Sequence, residues 1–421
     1  MANTILTPSM ILREVYALMH QRSNFIMRTN RQYDSRFANN TLKIGQSLDI
    51  RLPPKFTTRT GNTMASQNIT ERAVALPLAT INGVDFNLTQ EQLTFDIQDL
   101  SERVLRPAVA QLTATVEANA MATLYKKVPN YVGIVTTAST TVYRDFANAA
   151  RLLTDNKAPL TDRTMTMDTQ TTVDFRDAIK GLFQQGDKIA EAYVEGSIGR
   201  TGGFDVYENT LTPRHTSGTF TATTISVTTT AGSTGFFDGT GNAYSNDPFT
   251  VSLDGITTGL SLKAGDVVTF SAVNEVDTET KQDLGYLKKF VVTEDSGALV
   301  TAGTIKILPV PIVGGAYANV SAAILNNAVM TFLGPATTAA AITYGQNLGF
   351  HKDAFAFVTA DLEDPSKYGA WGGREVMDDL SVRIWRQGDI VNGQFLTRLD
   401  IAWGVAAIYP EWAVRWVHAQ S

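Results

Sequence analysis

The chain places few residues at spacings that could support catalysis. Residues 181–188 read Gly, four residues, Gly, Asp and Lys, whereas a phosphate-binding loop needs adjacent Gly and Lys followed by Ser or Thr. Ile189 stands where the magnesium-binding hydroxyl should be, so we expect a turn between helices there. No Ser lies in a Gly-x-Ser-x-Gly motif, and the sequence therefore predicts no nucleophile elbow.

Acidic and metal-binding side chains lead to the same conclusion. Carboxylates cluster at three places that we interpret as solvated surface or helix caps: Glu191 with Glu195, Asp378 with Asp379, and Asp361 with Glu363 and Asp364. The four histidines form no i, i+4 pair, and the chain has no cysteine, so it lacks zinc-site spacing, disulfides and thiol nucleophiles. We predict no enzyme activity, no cofactor and no metal.

Tryptophan and arginine are interspersed near the C-terminus and allow two interpretations. They could form a stacking surface for nucleic acid, or they could pack in a core or an interface. We favour packing, because Trp403 lies in a strongly apolar strand. The residues concerned are Trp385, Trp403, Trp412 and Trp416, with Arg383, Arg386, Arg398 and Arg415.

Composition sets the class of protein. A chain of 421 residues with 43% apolar content can form two or three domains with real cores. The absence of cysteine fits assembly in a reducing cytoplasm. No signal-like apolar segment follows the N-terminus, and no apolar run reaches the ~18 to 20 residues of a membrane span. We therefore expect no secretion and no membrane contact.

Charge is unevenly distributed along the chain. The first 75 residues hold ten basic and four acidic side chains, a net +6, which leaves −12 for the rest of a chain whose net charge is −6. Such a basic segment could meet nucleic acid or an acidic partner, or it could be a solvated surface.

The N-terminal third contains elements that cannot bury themselves. Helical spacing of apolar residues predicts a short helix from Pro8 to His20, and the polar residues 21–40 predict an extended arm. Strand patterns at 42–52 and 73–78 flank a polar tip at 57–70. This arrangement predicts a projecting hairpin that lies on a neighbouring subunit, or alternatively a flexible surface loop.

A long helix and a mixed α/β region follow. Residues 99–128 carry one apolar stripe, and Pro107 indicates that the long helix begins near Arg106. The downstream pattern predicts helices at 141–155, 172–183 and 187–194, and a strand at Arg163–Met167, which together indicate a sheet covered by helices. A turn at Val391-Asn392-Gly393 predicts a hairpin between residues 381–386 and 394–407.

An insertion rich in Thr, Ser and Gly interrupts this region. Its β-branched runs are separated by Gly, Asp and Asn turns, and they predict a small barrel or sandwich. The predicted strands are 220–229, 248–253, 266–272, 289–293 and 304–308.

Three short segments of the insertion and its borders carry a family resemblance. They are Gly203-Phe204-Asp205 with Leu211 and Thr212-Pro213, then Leu262 to Phe270 (LKAGDVVTF), then Ala316 to Val320 (AYANV). With the order of elements, they resemble the major capsid (coat) protein of tailed double-stranded DNA bacteriophages of the Hong-Kong-phage type, in the short-tailed subfamily with an inserted barrel. The implied fold class is α+β, the Hong-Kong-phage-type capsid fold with an inserted small β-barrel.

The resemblance implies a division of the chain into six segments. These are an N-terminal arm (1–37), an extended hairpin loop (38–79), a peripheral domain with a spine helix (80–130), a first part of the axial domain (131–212), the inserted barrel (213–344) and returning axial and peripheral strands (345–421).

The resemblance also implies function and partners. The chain would assemble in the host cytoplasm as homo-oligomeric pentamers and hexamers of an icosahedral virion shell, with a scaffolding protein and a portal. Packaged double-stranded DNA would be contacted weakly and without sequence specificity. Candidate inter-subunit contacts are Arg28, Arg31, Arg51, Lys55, Arg59, Asp238 and Asp247. The loop 237–247 holds no Lys or Arg, so the sequence does not predict a reciprocal salt bridge there.

Two other functions remain open from the residues. A host-encoded compartment shell of the same fold would enclose an enzyme cargo instead of a genome. A carbohydrate-binding or adhesion protein would use the β-rich insertion as its binding module, with Phe236, Phe237 and Tyr244 as a sugar platform.

Overall fold

A computed structural model gives the fold of the chain. It describes residues 8–31, 47–64, 66–69, 71–78, 80–89, 101–134, 142–179, 199–219, 225–228, 247–334, 341–377, 380–389 and 394–418. The chain divides into two units. The first unit comprises residues 1–50, 75–121 and 355–406, and the second comprises residues 51–74, 122–354 and 407–421.

The α-helices within the described residues are α1 (Pro8–Arg22), α2 (Arg106–Leu124), α3 (Val142–Asp155) and α4 (Thr169–Ile179). The strands in the first half of the chain are β1 (Ser47–Leu52), β2 (Arg72–Pro77), β3 (Thr80–Thr89), β4 (Tyr131–Ile134), β5 (Arg163–Met167), β6 (Arg200–Thr201), β7 (Phe204–Glu208) and β8 (Arg214–Thr216). Those of the inserted segment are β9 (Ile225–Val227), β10 (Phe249–Leu260), β11 (Val267–Val276), β12 (Asp283–Val292), β13 (Leu299–Leu308), β14 (Val329–Phe332) and β15 (Thr343–Gly345). The last are β16 (Asn347–His351), β17 (Phe355–Ala360), β18 (Trp371–Met377), β19 (Leu380–Asp389), β20 (Gln394–Ala407) and β21 (Ala413–His418).

The first unit is built on a sheet with the order β17-β20-β19-β18, and β3 also pairs with β20. Strands β19 and β20 are antiparallel and pair up to Asp389 with Gln394, so the predicted hairpin is confirmed, while its turn residues lie outside the described part. Helix α1 contacts β18 and β19 and buries the apolar residues that predicted it, Ile11, Leu12, Val15, Leu18 and Met19. Pro8 occupies its first position, where a missing N–H costs nothing.

The predicted start of the long helix is confirmed. Residues Ser101–Leu105 form a π-helical turn, and α2 begins at Arg106 with Pro107 in its first turn. Its alanine-rich sequence favours the helix, and Leu112 and Val116 of the predicted stripe are 1% and 0% exposed. The stripe is therefore the face that anchors α2 in the first unit.

The expectation that residues 21–40 contain no compact element is wrong for residues 23–31. Phe25 is fully buried, its ring centroid lies 6.1 Å from that of Phe355, and its N–H donates to Glu117 Oε1 at 3.0 Å. Asn30 bridges β17 through hydrogen bonds with Phe355 and Phe357. The sequence pattern did not reveal this segment, because polar residues surround its two apolar residues. Its backbone hydrogen-bonds to β17, a strand that is distant in sequence. Residues 32–40 lie outside the described part.

The second unit contains a six-stranded sheet with the order β4-β21-β16-β5-β7-β6. Helices α3 and α4 match the predictions for 141–155 and 172–183, whereas the helix predicted at 187–194 lies outside the described residues. Four buried aromatic side chains form the centre of the core beneath them, with ring centroids 4.7 to 5.9 Å apart: Phe146, Phe175, Phe204 and Trp416.

The insertion forms a closed barrel with the strand order β10-β13-β12-β11-β14-β9, which is one of the two architectures that the strand pattern predicted and the one that the resemblance implied. Closure pairs the outer strands β10 and β14 through β9, which removes free sheet edges. Alternate residues point inward and make an apolar core that includes Val251, Leu253, Phe270, Phe290 and Ile307. Residues 263–266 form a turn before β11, so Asp266 lies in this turn and not in the strand predicted at 266–272.

We expect Phe25→Ala to destabilise the first unit by about 3 to 5 kcal/mol, because it deletes a fully buried ring that the surrounding core cannot refill. Thermal or urea unfolding of the full chain measures the change. The control Met10→Ala alters a side chain on α1 that is 37% exposed and should have a much smaller effect. Equal stability of Phe25→Ala and the unmodified chain would contradict burial of this segment.

Candidate functional site

The hairpin tip is a braced loop and not an open coil. Strands β1 and β2 pair to form its base. Near the tip, Thr57 donates its N–H to Gln67 Oε1 at 2.9 Å, and Gln67 Nε2 donates back to the Thr57 carbonyl at 2.6 Å. The Arg59 guanidinium donates to the carbonyls of Gly61 and Thr63 across the turn. Reciprocal bonds across ten residues hold the two sides of the loop together.

This loop exposes both apolar and basic side chains. Phe56, Met64 and Ile69 are 57%, 81% and 69% exposed, which is unusual for large apolar residues so close together in sequence. Residues 51–72 contain four basic side chains and one acidic side chain, Glu71. Arg51 Nη1 lies 3.4 Å from Glu71 Oε2 in a largely exposed ion pair, which contributes little stability on its own.

Tyr317 of the insertion holds the base of the loop within the second unit. Its hydroxyl accepts a hydrogen bond from the Lys55 N–H at 3.3 Å, and the Arg72 guanidinium lies 5.6 Å above its ring. Burial lowers the pKa of Lys55, and nearby Glu411 offsets only part of this change. The predicted contact residue Lys55 is thus half-buried in its own subunit, whereas Arg51 and Arg59 are exposed.

The remaining predicted contact residues belong to other parts of the chain. Arg28 ends the short 3-10 helix Ile26–Arg28 in the first unit and is exposed, and Arg31 is partly buried close by. Asp247 is exposed just before β10. Asp238, together with the proposed sugar platform Phe236, Phe237 and Tyr244, lies outside the described residues.

The C-terminal tryptophans have separate uses. Trp403 stacks on Phe357, and Trp416 lies in the aromatic core of the second unit, which confirms the packing interpretation for both. Trp385 instead lines an open groove of about 520 Å³ in the first unit, beside Leu396 and Arg398. This groove offers a ring, an apolar side chain and a cation to a partner molecule.

The acidic clusters do not form a catalytic pair among the described residues. Asp361 pairs with Arg374, Glu363 pairs with Lys367, and Asp364 caps a 3-10 helix by accepting the Ser366 N–H. The other two clusters and residues 181–188 lie outside the described part. The described residues contain no group of three His, Cys, Asp or Glu side chains suited to a metal, and no described helix could span a membrane.

Sequence reasoning missed the polar contacts that dock the barrel on the six-stranded sheet. Lys289 Nζ donates to the Tyr131 carbonyl at 2.7 Å, and burial lowers the pKa of Lys289 to about 8. Tyr286 donates to Asp155 Oδ2 at 3.1 Å, and Lys157 Nζ lies 2.8 Å from Asp277 Oδ2. The partners are distant in sequence, so spacing gave no signal for them.

The described residues thus combine an inserted barrel that is docked by polar contacts with a braced loop that exposes apolar side chains. A family model described as the P22 coat protein, gene protein 5, matches residues 21–415, nearly the whole chain. The chain belongs to the P22 coat protein family. It is therefore a phage major capsid protein, which forms the shell and is located in the virion. The predicted resemblance and fold class are confirmed.

The coat protein is also similar to several solved structures. It shares 26% identity with the CUS-3 coat protein I-domain over 26% of this chain and 95% of that one, with a TM-score of 0.17. A structure from Mycobacterium phage Che8 matches at 11% identity, over 92% and 89% of the two chains, with a TM-score of 0.43. The capsid structure of Cyanophage P-SCSP1u matches at 12% identity, over 90% and 85%, with a TM-score of 0.43. The coat protein matches no curated protein sequence.

We expect the contact between Lys157 and Asp277 to make the stability of the coat protein pH-dependent. Burial opposes ionisation of Asp277, but hydrogen bonds from Lys157 and from the N–H groups of Glu279 and Thr280 outweigh it and lower the pKa to about 2. Because the folded pKa lies below the ordinary value of 3.8, this stabilisation is present above pH ~4 and is lost as the pH falls towards 2.

Unfolding midpoints of Asp277→Asn between pH 5 and pH 2 should therefore fall less steeply than those of the unmodified coat protein. The control Glu294→Gln removes an exposed carboxylate that pairs with Lys306 and should keep the steep fall. Identical pH profiles for Asp277→Asn and the unmodified chain would exclude this contact as the cause.

Proposed function

We propose that this coat protein assembles as pentamers and hexamers into an icosahedral shell around double-stranded DNA, with a scaffolding protein and a portal as partners. The braced loop that exposes Phe56, Met64 and Ile69 carries the proposal. Transferring these side chains from water to a neighbouring subunit would stabilise each contact by about 1.5 to 3 kcal/mol per fully buried side chain. A loop that is already ordered by its own hydrogen bonds is suited to that use.

The six segments expected from the resemblance follow as part of the proposal. Residues 38–79 project as the overlapping loop, 80–130 hold the spine helix, and 131–212 with 345–421 form the axial and peripheral parts around the barrel of 213–344. Arg28, Arg31, Arg51, Lys55, Arg59, Asp238 and Asp247 remain our proposed inter-subunit contacts. Within the arm of residues 1–37, residues 23–31 are packed in their own first unit, so we propose that Arg28 and Arg31 reach a neighbouring subunit through their side chains alone.

Weak and non-specific contact with DNA follows from the charge of the chain. A net charge of −6 limits the number of phosphates that the inner wall can neutralise, and each neutralised phosphate strengthens binding. We propose no enzymatic step, because the acidic clusters with described geometry are occupied as ion pairs and caps.

Velocity sedimentation of the full chain, alone and with its scaffolding protein, followed by negative-stain imaging, tests the proposal. We expect closed particles of uniform size that contain pentameric and hexameric clusters. A coat protein that stays monomeric in both conditions would contradict the proposed assembly.

Replacing Phe56, Met64 and Ile69 together by Ser should leave the subunit folded but abolish closed particles, because the contact loses its apolar area while no core side chain changes. Circular dichroism and thermal unfolding check the fold, and sedimentation checks the particles. The control Leu325→Ser alters a side chain in the insertion that is 52% exposed and should still assemble. Normal particles from the triple variant would show that the loop does not drive assembly.

A further inference from the structure

The barrel is joined to the six-stranded sheet by two chain crossings that pair with each other. Strands β8 and β15 are antiparallel, with His215 opposite Tyr344 and Thr216 opposite Thr343. The two threonine hydroxyls lie 2.8 Å apart, and the Ser217 N–H donates to the Ile342 carbonyl at 2.9 Å. We call this pair of strands the ribbon. Any reorientation of the barrel must bend or open it.

A buried carboxylate stands at the foot of the ribbon. Asp266 belongs to the barrel turn 263–266, and its side chain is completely buried. Its Oδ2 accepts the N–H of Lys263 at 2.7 Å and the N–H of Gly218 at 3.1 Å, while Oδ1 lies 2.8 Å from His215 Nε2. Asp266 thus binds its own turn and, at two positions, the strand that enters the barrel.

His215 also contacts the residue that follows α2. Its Nδ1 lies 3.1 Å from the hydroxyl of Tyr125, which follows the last residue of the helix. Burial raises the pKa of Tyr125. The imidazole of His215 thus bridges two groups, with Nε2 facing Asp266 and Nδ1 facing the Tyr125 hydroxyl.

The turn fits against these rings because it lacks a side chain at Gly265. A Cβ there would lie 3.2 Å from His215 Cε1 and 3.3 Å from both Tyr125 and Lys126. Gly265 also has a φ of +106°, a conformation that favours glycine. The Gly265 carbonyl accepts a hydrogen bond from Arg415 Nη1 at 2.6 Å. Arg415 is itself buried, and its guanidinium lies 5.8 Å from the ring centroid of Tyr131 in β4.

We propose that Asp266, His215, Tyr125 and Arg415 form a conformational latch that keeps the ribbon closed and holds the barrel in one orientation on the six-stranded sheet. Asp266 is its positioning residue, since it acts through Gly218 and His215. Opening the ribbon would remove two hydrogen-bond donors, the Gly218 N–H and His215 Nε2, from a desolvated carboxylate, which is strongly unfavourable. None of the four latch residues belongs to the apolar core of the barrel. It is a property of the single subunit and does not depend on the proposed assembly.

Hydrogen exchange measured by mass spectrometry on the unassembled full chain tests the latch. In Asp266→Asn, which keeps the volume but removes the charge, peptides that cover 214–218 and 342–346 should exchange at least about tenfold faster, because bonds to a charged acceptor are lost. Peptides that cover Phe290 and Val291 in β12 should keep their protection, because the barrel core is unchanged. Faster exchange in the ribbon peptides with unchanged exchange in the β12 peptides distinguishes a latch from a general stabilising role of Asp266.

Asp295→Asn is the matched control. Asp295 also accepts a hydrogen bond from the same turn, the Ala264 N–H at 2.8 Å, but its side chain is 54% exposed and lies outside the latch. It should leave the ribbon peptides unchanged, and faster ribbon exchange in this control would overturn the proposal. Unchanged ribbon exchange in Asp266→Asn, or equal loss of protection in ribbon and barrel, would overturn it as well.

If Asp266→Asn does not fold, Tyr125→Phe decides the question, because it removes only the hydroxyl that bonds His215 Nδ1. Faster exchange confined to the ribbon would support the latch, and unchanged exchange there would overturn it.

Discussion

A carboxylate that is fully removed from water must be satisfied by the groups around it, and Asp266 imposes this requirement on the second unit. Its oxygens take donors from its own turn, from the strand that enters the insertion and from His215. Because His215 also contacts Tyr125, the end of α2, the ribbon and the barrel turn meet at one point. The barrel and the sheet each have their own apolar core, and this polar cluster fixes how they join.

The coat protein uses apolar and polar contacts for different purposes. Apolar clusters stabilise each part, as in the barrel interior and the aromatic core around Phe146. Polar contacts define geometry, because hydrogen bonds are directional and fail when displaced by an ångström. Lys289, Tyr286 and Lys157 add such contacts along the docked side of the barrel. A shell subunit needs this division, since its parts must be both stable and accurately placed.

The sequence predicted what periodicity can encode. The α2 stripe, the start of that helix at Arg106 and the β-rich character of the insertion were predicted because local residues determine them, whereas the choice between a barrel and a sandwich depends on long-range strand pairing. Burial of residues 23–31 was missed, because Asn30 pairs with a strand more than 300 residues away. The Asp266 cluster was missed for the same reason, because its partners are spread from Tyr125 to Arg415. Of the candidate contacts, Arg51 and Arg59 are exposed, whereas no local pattern could show that Tyr317 holds Lys55.

The reciprocal bonds between Thr57 and Gln67 have a consequence for how errors are corrected during growth of a shell. Ordering a free loop on contact would cost about 1 to 2 kcal/mol for each residue fixed, which would demand a strong and slowly reversed attachment to compensate. A loop that is ordered beforehand avoids this entropy loss, so a modest contact area is sufficient. Modest contacts dissociate readily, and a wrongly placed subunit can leave before its neighbours trap it.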